Sequence, residues 1–443
     1  MHGASTVAPS LRAAMRDVRV GHPSVTWHDS GVSNERHPRV QSVSEETRVT
    51  PIELFFDLVF VFSLTQVTAF MADDLTGRGI ARGMLVLALL WWSWAGYAWL
   101  GSVVRADEGI GRVAMFGAMA AVLILALSVP EAFDDRPGGL SGPVVLAIAY
   151  LAVRLLHLTI FWLAADEDPG LRRQLVRFMP SVLGSTALLL VASQLDGHAQ
   201  TLTWVAAVIV DLAGTLLAGA SGWRLYSAGL FAERHGLILI VALGESIVAI
   251  GVGVAELPIS APIVVASVLG LTVAGCLWWA YFDVVSLMAE RVLRRAEGEE
   301  RTRMARDAYT YLHLPMIAGV VLLALGMKKV LEFAGDEADH DLSEALPLLP
   351  LAAMYGGVAL YLLSNVAFKY RIVHSASVHR IVTSVLLLAL VPFAAQVPAL
   401  AALGLLTAVM VGVIAFEAVR FSEIREQVRH EEDAAVSRLG RRP

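Results

Sequence analysis

The chain has 443 residues, of which 56% are hydrophobic and 17% charged, with a mean hydropathy of +0.64. Soluble domains carry about 25% charged residues, so the composition excludes an ordinary water-soluble globule. The formal net charge of −6 is spread over segments of both signs and gives no footing for a nucleic-acid partner, and the single cysteine, Cys276, excludes an internal disulfide or a multi-thiolate metal site.

In chain order, residues 1–50 are polar, carry six Arg and contain no apolar run of the signal-peptide kind. They are expected to form a disordered cytoplasmic tail. Twelve apolar runs follow, at about 52–71, 81–103, 111–129, 143–163, 178–194, 201–219, 236–254, 262–285, 308–325, 346–368, 380–397 and 399–418. At 1.5 Å per residue, a helix of roughly 20 residues spans the hydrocarbon core of a bilayer. The last two runs are divided only by the turn around Pro398, so eleven or twelve spans are expected. The fold class is an all-α integral membrane protein with about twelve transmembrane helices. Residues 421–443 read as a short charged helix and a ragged cytoplasmic end.

The basic residues set an orientation. Of the 34 Lys and Arg, only Arg78, Arg82, Arg136, Lys328 and Lys329 fall on one side of this topology, and Arg154 lies within a span. All the others fall on the side of the N-terminus. The positive-inside rule then places both termini in the cytoplasm, which requires an even number of spans in the plasma (inner) membrane.

The chain also echoes itself. "ALLWWSWAGY" from Ala88 and "GCLWWAYFD" from Gly275 fall in the second and eighth spans. "LAIAY" at 146–150 and "LAAMY" at 351–355 fall in the fourth and tenth, and Arg177–Gln194 resembles Arg380–Gln396 in the fifth and eleventh. These echoes keep their order, so two six-helix halves of the same orientation are expected, 51–225 and 226–420. A site in such an arrangement lies between the halves near the midplane.

Ionisable residues within the spans mark where it should be. A charge at mid-helix costs roughly 2.5–3.5 kcal/mol on insertion scales, so such residues pair, face the interior and often line a pathway. Glu53 and Asp57 in "ELFFDLVFVFSLTQ" share one helix face. Glu53, at the start, suits an anchor near the positive end of the helix dipole, while Asp57 is divided between a structural ion pair and a site. In "ERHGLILIVALGESIVAIG", Glu233, Arg234 and His235 crowd the start of the seventh span and Glu245 falls near its middle. Arg154 and His157 share a face of the fourth span. Arg154 cannot shed its charge, so Asp211 or Glu245 must face it. Asp57, Arg154, Asp211 and Glu245 are expected along one polar seam. Asp283, His313 and Asn365 read as helix-end residues, and the Trp residues around Trp91, Trp92, Trp94, Trp99, Trp278 and Trp279 as an interfacial girdle. There is no phosphate-cradling G-x-x-x-x-G-K-[ST], no H-E-x-x-H and no paired C-x-x-C, so no cofactor or metal is expected.

The stretches "TPIELFFDLVFVFSLTQ", "WWSW" and "AERHGLILIVALGESIVAIG" resemble the bacterial low temperature requirement A (LtrA) family, from about Val49 to Arg420. The resemblance implies a multi-pass membrane protein linked by name to growth in the cold, and supplies no reaction or substrate. Its motif positions here are Glu53, Asp57, Glu233, Arg234, His235, Gly236, Gly244 and Glu245. Three functions remain open. A proton-coupled secondary transporter of a small solute leads, because protonatable carboxylates and two halves suit it. A membrane-embedded enzyme on a lipid-soluble substrate would use Glu53, Asp57, Glu233 and His235 as acids and bases. A structural protein of cold adaptation would merely pair its charges. The lipid bilayer is the one partner expected with each, and the oligomeric state is left open.

Overall fold

The computed structural model describes residues 48–165, 168–219, 222–255, 257–335 and 340–420. The two tails expected at 1–50 and 421–443 lie outside the described residues, apart from Arg48 to Thr50. The described part is all-α. Its long helices are α1 Pro51–Asp73, α2 Gly77–Gly101, α3 Gly109–Leu127, α4 Gly142–Ala164, α5 Pro169–Ala192, α6 Gly197–Ala218, α7 Ala228–Gly253 and α8 Ala261–Phe282. Two short helices follow, α9 Val285–Arg295 and α10 Gly298–Met304, and a π-helical stretch, Ala305–Tyr311, leads into α11 Leu312–Gly335. The chain continues with α12 Leu348–Val373, α13 Val378–Ala394 and α14 Ala399–Arg420.

Each helix starts where local chemistry allows it. Pro51 and Pro169 open α1 and α5, where a missing N–H costs nothing. The side chains of Thr76, Asp168, Ser227 and Ser260 accept from backbone N–H groups in the first turns of α2, α5, α7 and α8. Every expected apolar run lies in a helix. Helices α5 and α7 begin about two turns before their runs because their first turns carry Arg172, Arg173 and Gln174, or Glu233 to His235. Such residues break the hydropathy signal but not the helix.

Among the described residues, eleven segments are long and apolar enough to cross a membrane, and α13, at 17 residues, is the shorter apolar one. Polar and apolar sides are inverted relative to a soluble protein. On α1, Leu54, Phe55 and Leu58 are exposed while Glu53 and Asp57 are buried. An apolar exterior of this kind requires lipid, so the protein is embedded in a bilayer.

The packing is orderly. Helix α1 lies against α2 and α3, α3 against α4, α4 against α2 and α5, and α6 against α5 and α2. Helix α7 lies against α8 and α11, α11 against α12, α12 against α8 and α13, and α14 against α13 and α8. The two groups meet where α1 and α2 contact α7 and α11. The closest helix pair is α11–α12. A Cβ on Gly319 would stand 2.5 Å from the Gly357 carbonyl oxygen, and one on Gly326 2.8 Å from that of Pro350, the backbone approach that small residues permit between membrane helices.

We refer to the face where α1 begins as the terminal face. Near it, Glu417 of α14 bonds Arg380 at the start of α13. On the opposite face, the Ala399 amide donates to the Glu344 carbonyl at 2.9 Å, joining the α13–α14 turn to the loop before α12. Helix α13 therefore runs from one face to the other, about 25 Å. Helix α9 packs against α7, α8 and α12 through Val285, Ala289 and Leu293, one turn apart, with Arg294 and Arg295 at its end.

Candidate functional site

Most of the ionisable residues singled out in the sequence lie in three places. The first lies between α1, α2 and α7, in the terminal third of the bundle. Glu53 accepts from both the backbone N–H and the hydroxyl of Thr50 at 2.9 Å, closing the start of α1. Its other oxygen accepts from Arg234 Nη1 at 3.2 Å, and the same nitrogen donates to the Tyr97 carbonyl at 2.8 Å. Arg234 Nη2 lies 3.5 Å from Asp57 Oδ1, which also accepts from Trp94 Nε1 at 2.7 Å. One guanidinium thus serves two carboxylates, all at 2% exposure or less. Gly101 makes the space: a Cβ there would stand 2.6 Å from Glu53 Oε1 and 2.7 Å from Arg234 Nη1. Among the described residues, Asp57 Oδ2 and Arg234 Nε have no hydrogen-bond partner.

His235, the next residue on α7, points into an aromatic box. Its Nδ1–H donates to the Phe231 carbonyl at 2.8 Å and its Nε2 has no hydrogen-bond partner among the described residues. The rings of Trp91, Trp94, Phe231, Tyr309 and His313 surround it at 4.3 to 6.1 Å between centroids. His313 accepts from the Tyr281 hydroxyl at 3.0 Å. The π-helical stretch bounds this box. Trp91 Nε1 donates to the Thr310 carbonyl at 2.8 Å and Trp99 Nε1 to the Thr310 hydroxyl at 2.9 Å.

The second place joins α4 and α6. Arg154 Nη2 lies 3.2 Å from Asp211 Oδ1, and the Tyr150 hydroxyl donates to the other Asp211 oxygen. The Arg154 guanidinium also stacks on Phe178, 5.1 Å from the ring centroid. Here a cavity of about 490 Å³, counted to its mouth, enters the bundle. Its walls are Trp92, Gly96 and Trp99 of α2, Arg154 and His157 of α4, Phe178 and Thr215, and Trp223 of the α6–α7 connection. Thr302, Arg306 and Thr310 of the α10–π stretch cover it, so it lies in the terminal part of the bundle. Neither ring nitrogen of His157 makes a hydrogen bond, apart from a weak interaction with the Gly96 backbone.

The third place is Glu245, 1% exposed, whose Oε2 accepts from the Thr65 hydroxyl at 2.6 Å. Among the described residues it has no cationic partner. It lies eleven residues beyond Arg234, about 16 Å along α7. Ser246 beside it is buried with an unpartnered hydroxyl.

The expected single seam is therefore two layers. Of the two partners considered for Arg154, the structure pairs it with Asp211, because Asp211 and Arg154 share the terminal half whereas Glu245 lies deeper. Glu233 does not join any of these groups. It is exposed, turned away by the 100° step that carries Arg234 inward. The expected tryptophan girdle is also corrected. Trp91, Trp92 and Trp94 are at most 4% exposed, and Trp91 and Trp94 bury their indole N–H groups on interior acceptors; Trp278, 45% exposed, keeps a lipid-facing place. His313, the second residue of α11, and Asn365, about two turns before the end of α12, lie toward helix ends as expected but are fully buried.

Sequence reasoning placed Trp94 in the interfacial girdle and missed Gly96, Gly101 and the cavity. It also missed a further ion cluster, in which Glu417 receives Arg380 at 2.6 and 2.8 Å and His379 while Arg380 donates to Asn365. The available signal was Glu417, a charge inside the last apolar run. Among the described residues, no three His, Cys, Asp or Glu side chains are gathered to hold a metal ion.

An apolar exterior, at least eleven membrane-length helices and charges enclosed between them define a polytopic integral membrane protein. The model of the bacterial low temperature requirement A (LtrA) family matches residues 48–415, and the chain belongs to that family. It is also similar to an uncharacterized protein of Rhizobium meliloti (strain 1021), 27% identical over 317 residues, covering 69% of this chain and 74% of the relative.

Proposed function

We propose that the protein is a proton-coupled secondary transporter of a small solute, with twelve crossings and both termini in the cytoplasm. Glu245 carries this reading. A carboxylate inside the membrane, held by threonine hydroxyls and, among the described residues, by no cation, is suited to bind and release a proton, whereas the arginine-locked Glu53, Asp57 and Asp211 serve as structure.

Two six-helix halves suit alternating access, and three observations support them. The neighbours of α1 to α6 recur among α7, α8 and α11 to α14. Tyr150 on α4 bonds α6, and its counterpart Tyr355 on α12 bonds α14. The second and fourth helices of each group are also tied by a tyrosine, from opposite partners: Tyr97 on α2 bonds the Val153 carbonyl of α4, and Tyr361 on α12 the Leu277 carbonyl of α8. Glu245 lies on α7, which meets α1 where the halves join. The excess of Lys and Arg on the terminal face supports cytoplasmic termini.

A membrane enzyme is the second reading, favoured by a cavity whose walls all lie toward one face. Sidedness separates the two. In a Cys276→Ser background, Val241→Cys places a thiol one turn before Glu245. Labelling with a membrane-impermeant maleimide from both faces, in proportions that change with pH and cease to change in Glu245→Gln, is the expected result. Labelling from the terminal face alone turns the assignment to an enzyme. No labelling from either face leaves paired, dry charges and overturns transport.

A further inference from the structure

The chemistry of the cavity names a solute, and this inference deepens the transport reading on which it rests. We propose that the cavity beside Arg154 and His157 binds a small monocarboxylate bearing a flat or branched apolar group.

The anion follows from the donors. Among the described residues, two arginines and a histidine line the cavity and no acid does. Arg306 is occupied by Asp307 at 2.8 Å. Arg154 is only partly occupied. Its Nη2 meets Asp211, its Nη1 reaches the Trp92 carbonyl at a long 3.4 Å, and its Nε has no partner. Asp211 is itself held on the other side by Tyr150. The guanidinium therefore keeps N–H groups for a second acceptor, and a carboxylate is the planar partner that fits them. His157, 3% exposed, stands beside it, and apart from the weak interaction with the Gly96 backbone its ring nitrogens make no hydrogen bond among the described residues. Gly96 keeps the way open, since a Cβ there would lie 3.2 Å from His157 Nε2 and 3.4 Å from Arg154 Nη1.

The apolar group follows from the walls. Trp92, Trp99, Phe178 and Trp223 present flat surfaces, and the hydroxyls of Thr215 and Thr310 are already engaged by Tyr311 and Trp99. The cavity amounts to about 490 Å³ counted to its mouth. That favours a small ligand. With Arg154 already facing Asp211, a monoanion adds one negative charge to be held by the remaining N–H groups, whereas a dianion such as phosphate would add two between apolar walls.

The test is direct binding to the purified, full-length protein, read from the fluorescence of the tryptophans in the walls. Benzoate and isobutyrate are titrated against benzamide and isobutyramide. Saturable responses to the carboxylates, at least tenfold tighter than to the amides, are expected. Arg154→Lys should weaken carboxylate binding tenfold or more. Gly96→Ala, which leaves every charge in place, should weaken it severalfold. No saturable response to either carboxylate, equal affinity for the amides, or unchanged binding in both variants overturns the proposal. Binding without pH-dependent access at Val241→Cys would overturn transport and leave this inference standing. Two-sided access without carboxylate binding would do the reverse.

Discussion

Arg234 is shared by two carboxylates and all three are almost completely buried, and that arrangement decides what each substitution costs. Removing the arginine leaves Glu53 and Asp57 buried without their cation, a loss of about 3–5 kcal/mol by the measure of broken buried pairs. Arg234→Met should therefore lower the thermal midpoint in detergent steeply. Asp57→Asn, which still offers an oxygen to Trp94, should lower it little. The triple variant Glu53→Gln, Asp57→Asn, Arg234→Met should recover much of what Arg234→Met loses. A triple variant no more stable than the single one would show that Arg234 matters through other contacts. These partners were only half legible in the sequence. The charges were visible because hydropathy makes any charge in a span conspicuous. Their pairing was not, because Glu53 and Arg234 are 181 residues apart and the rotation of α7 that buries Arg234 and exposes Glu233 is fixed by packing.

Among the elements, the α11–α12 pair is set by backbone contact, and neighbouring glycines should respond in opposite ways. A Cβ on Gly357 meets the Gly319 carbonyl oxygen at 2.5 Å, while one on Gly356 meets nothing within 4 Å. Gly357→Ala is expected to destabilise by about 1–3 kcal/mol through overpacking, and Gly356→Ala to be neutral. Equal midpoints for the two variants would contradict the packing described. The apolar runs gave the helices themselves, since spanning length is a property of sequence. They did not reveal the π-helical stretch or the buried Trp91 and Trp94. Those depend on an acceptor, such as the Thr310 carbonyl or Asp57, supplied by another helix.

At the scale of the molecule, the first six helices and the remainder meet through α1 and α2 against α7 and α11, with Arg234 as the ionic link. Two fragments divided between Gly219 and Gly222 and expressed together should copurify through a tag on either one. Arg234→Met should weaken that association. Copurification unaffected by the substitution would mean that apolar packing alone joins them. The order of synthesis gives the same link a further consequence. Glu53 and Asp57 enter the membrane long before Arg234 exists. At about 5–20 residues per second, roughly ten to forty seconds separate them. During that interval Glu53 is held by Thr50, and Asp57 gains the Trp94 indole as soon as α2 emerges. The N-terminal half is thus a nascent intermediate carrying two carboxylates that await a cation. A chain ending after α6 is therefore expected to be cleaved faster by membrane proteases than one that includes α7.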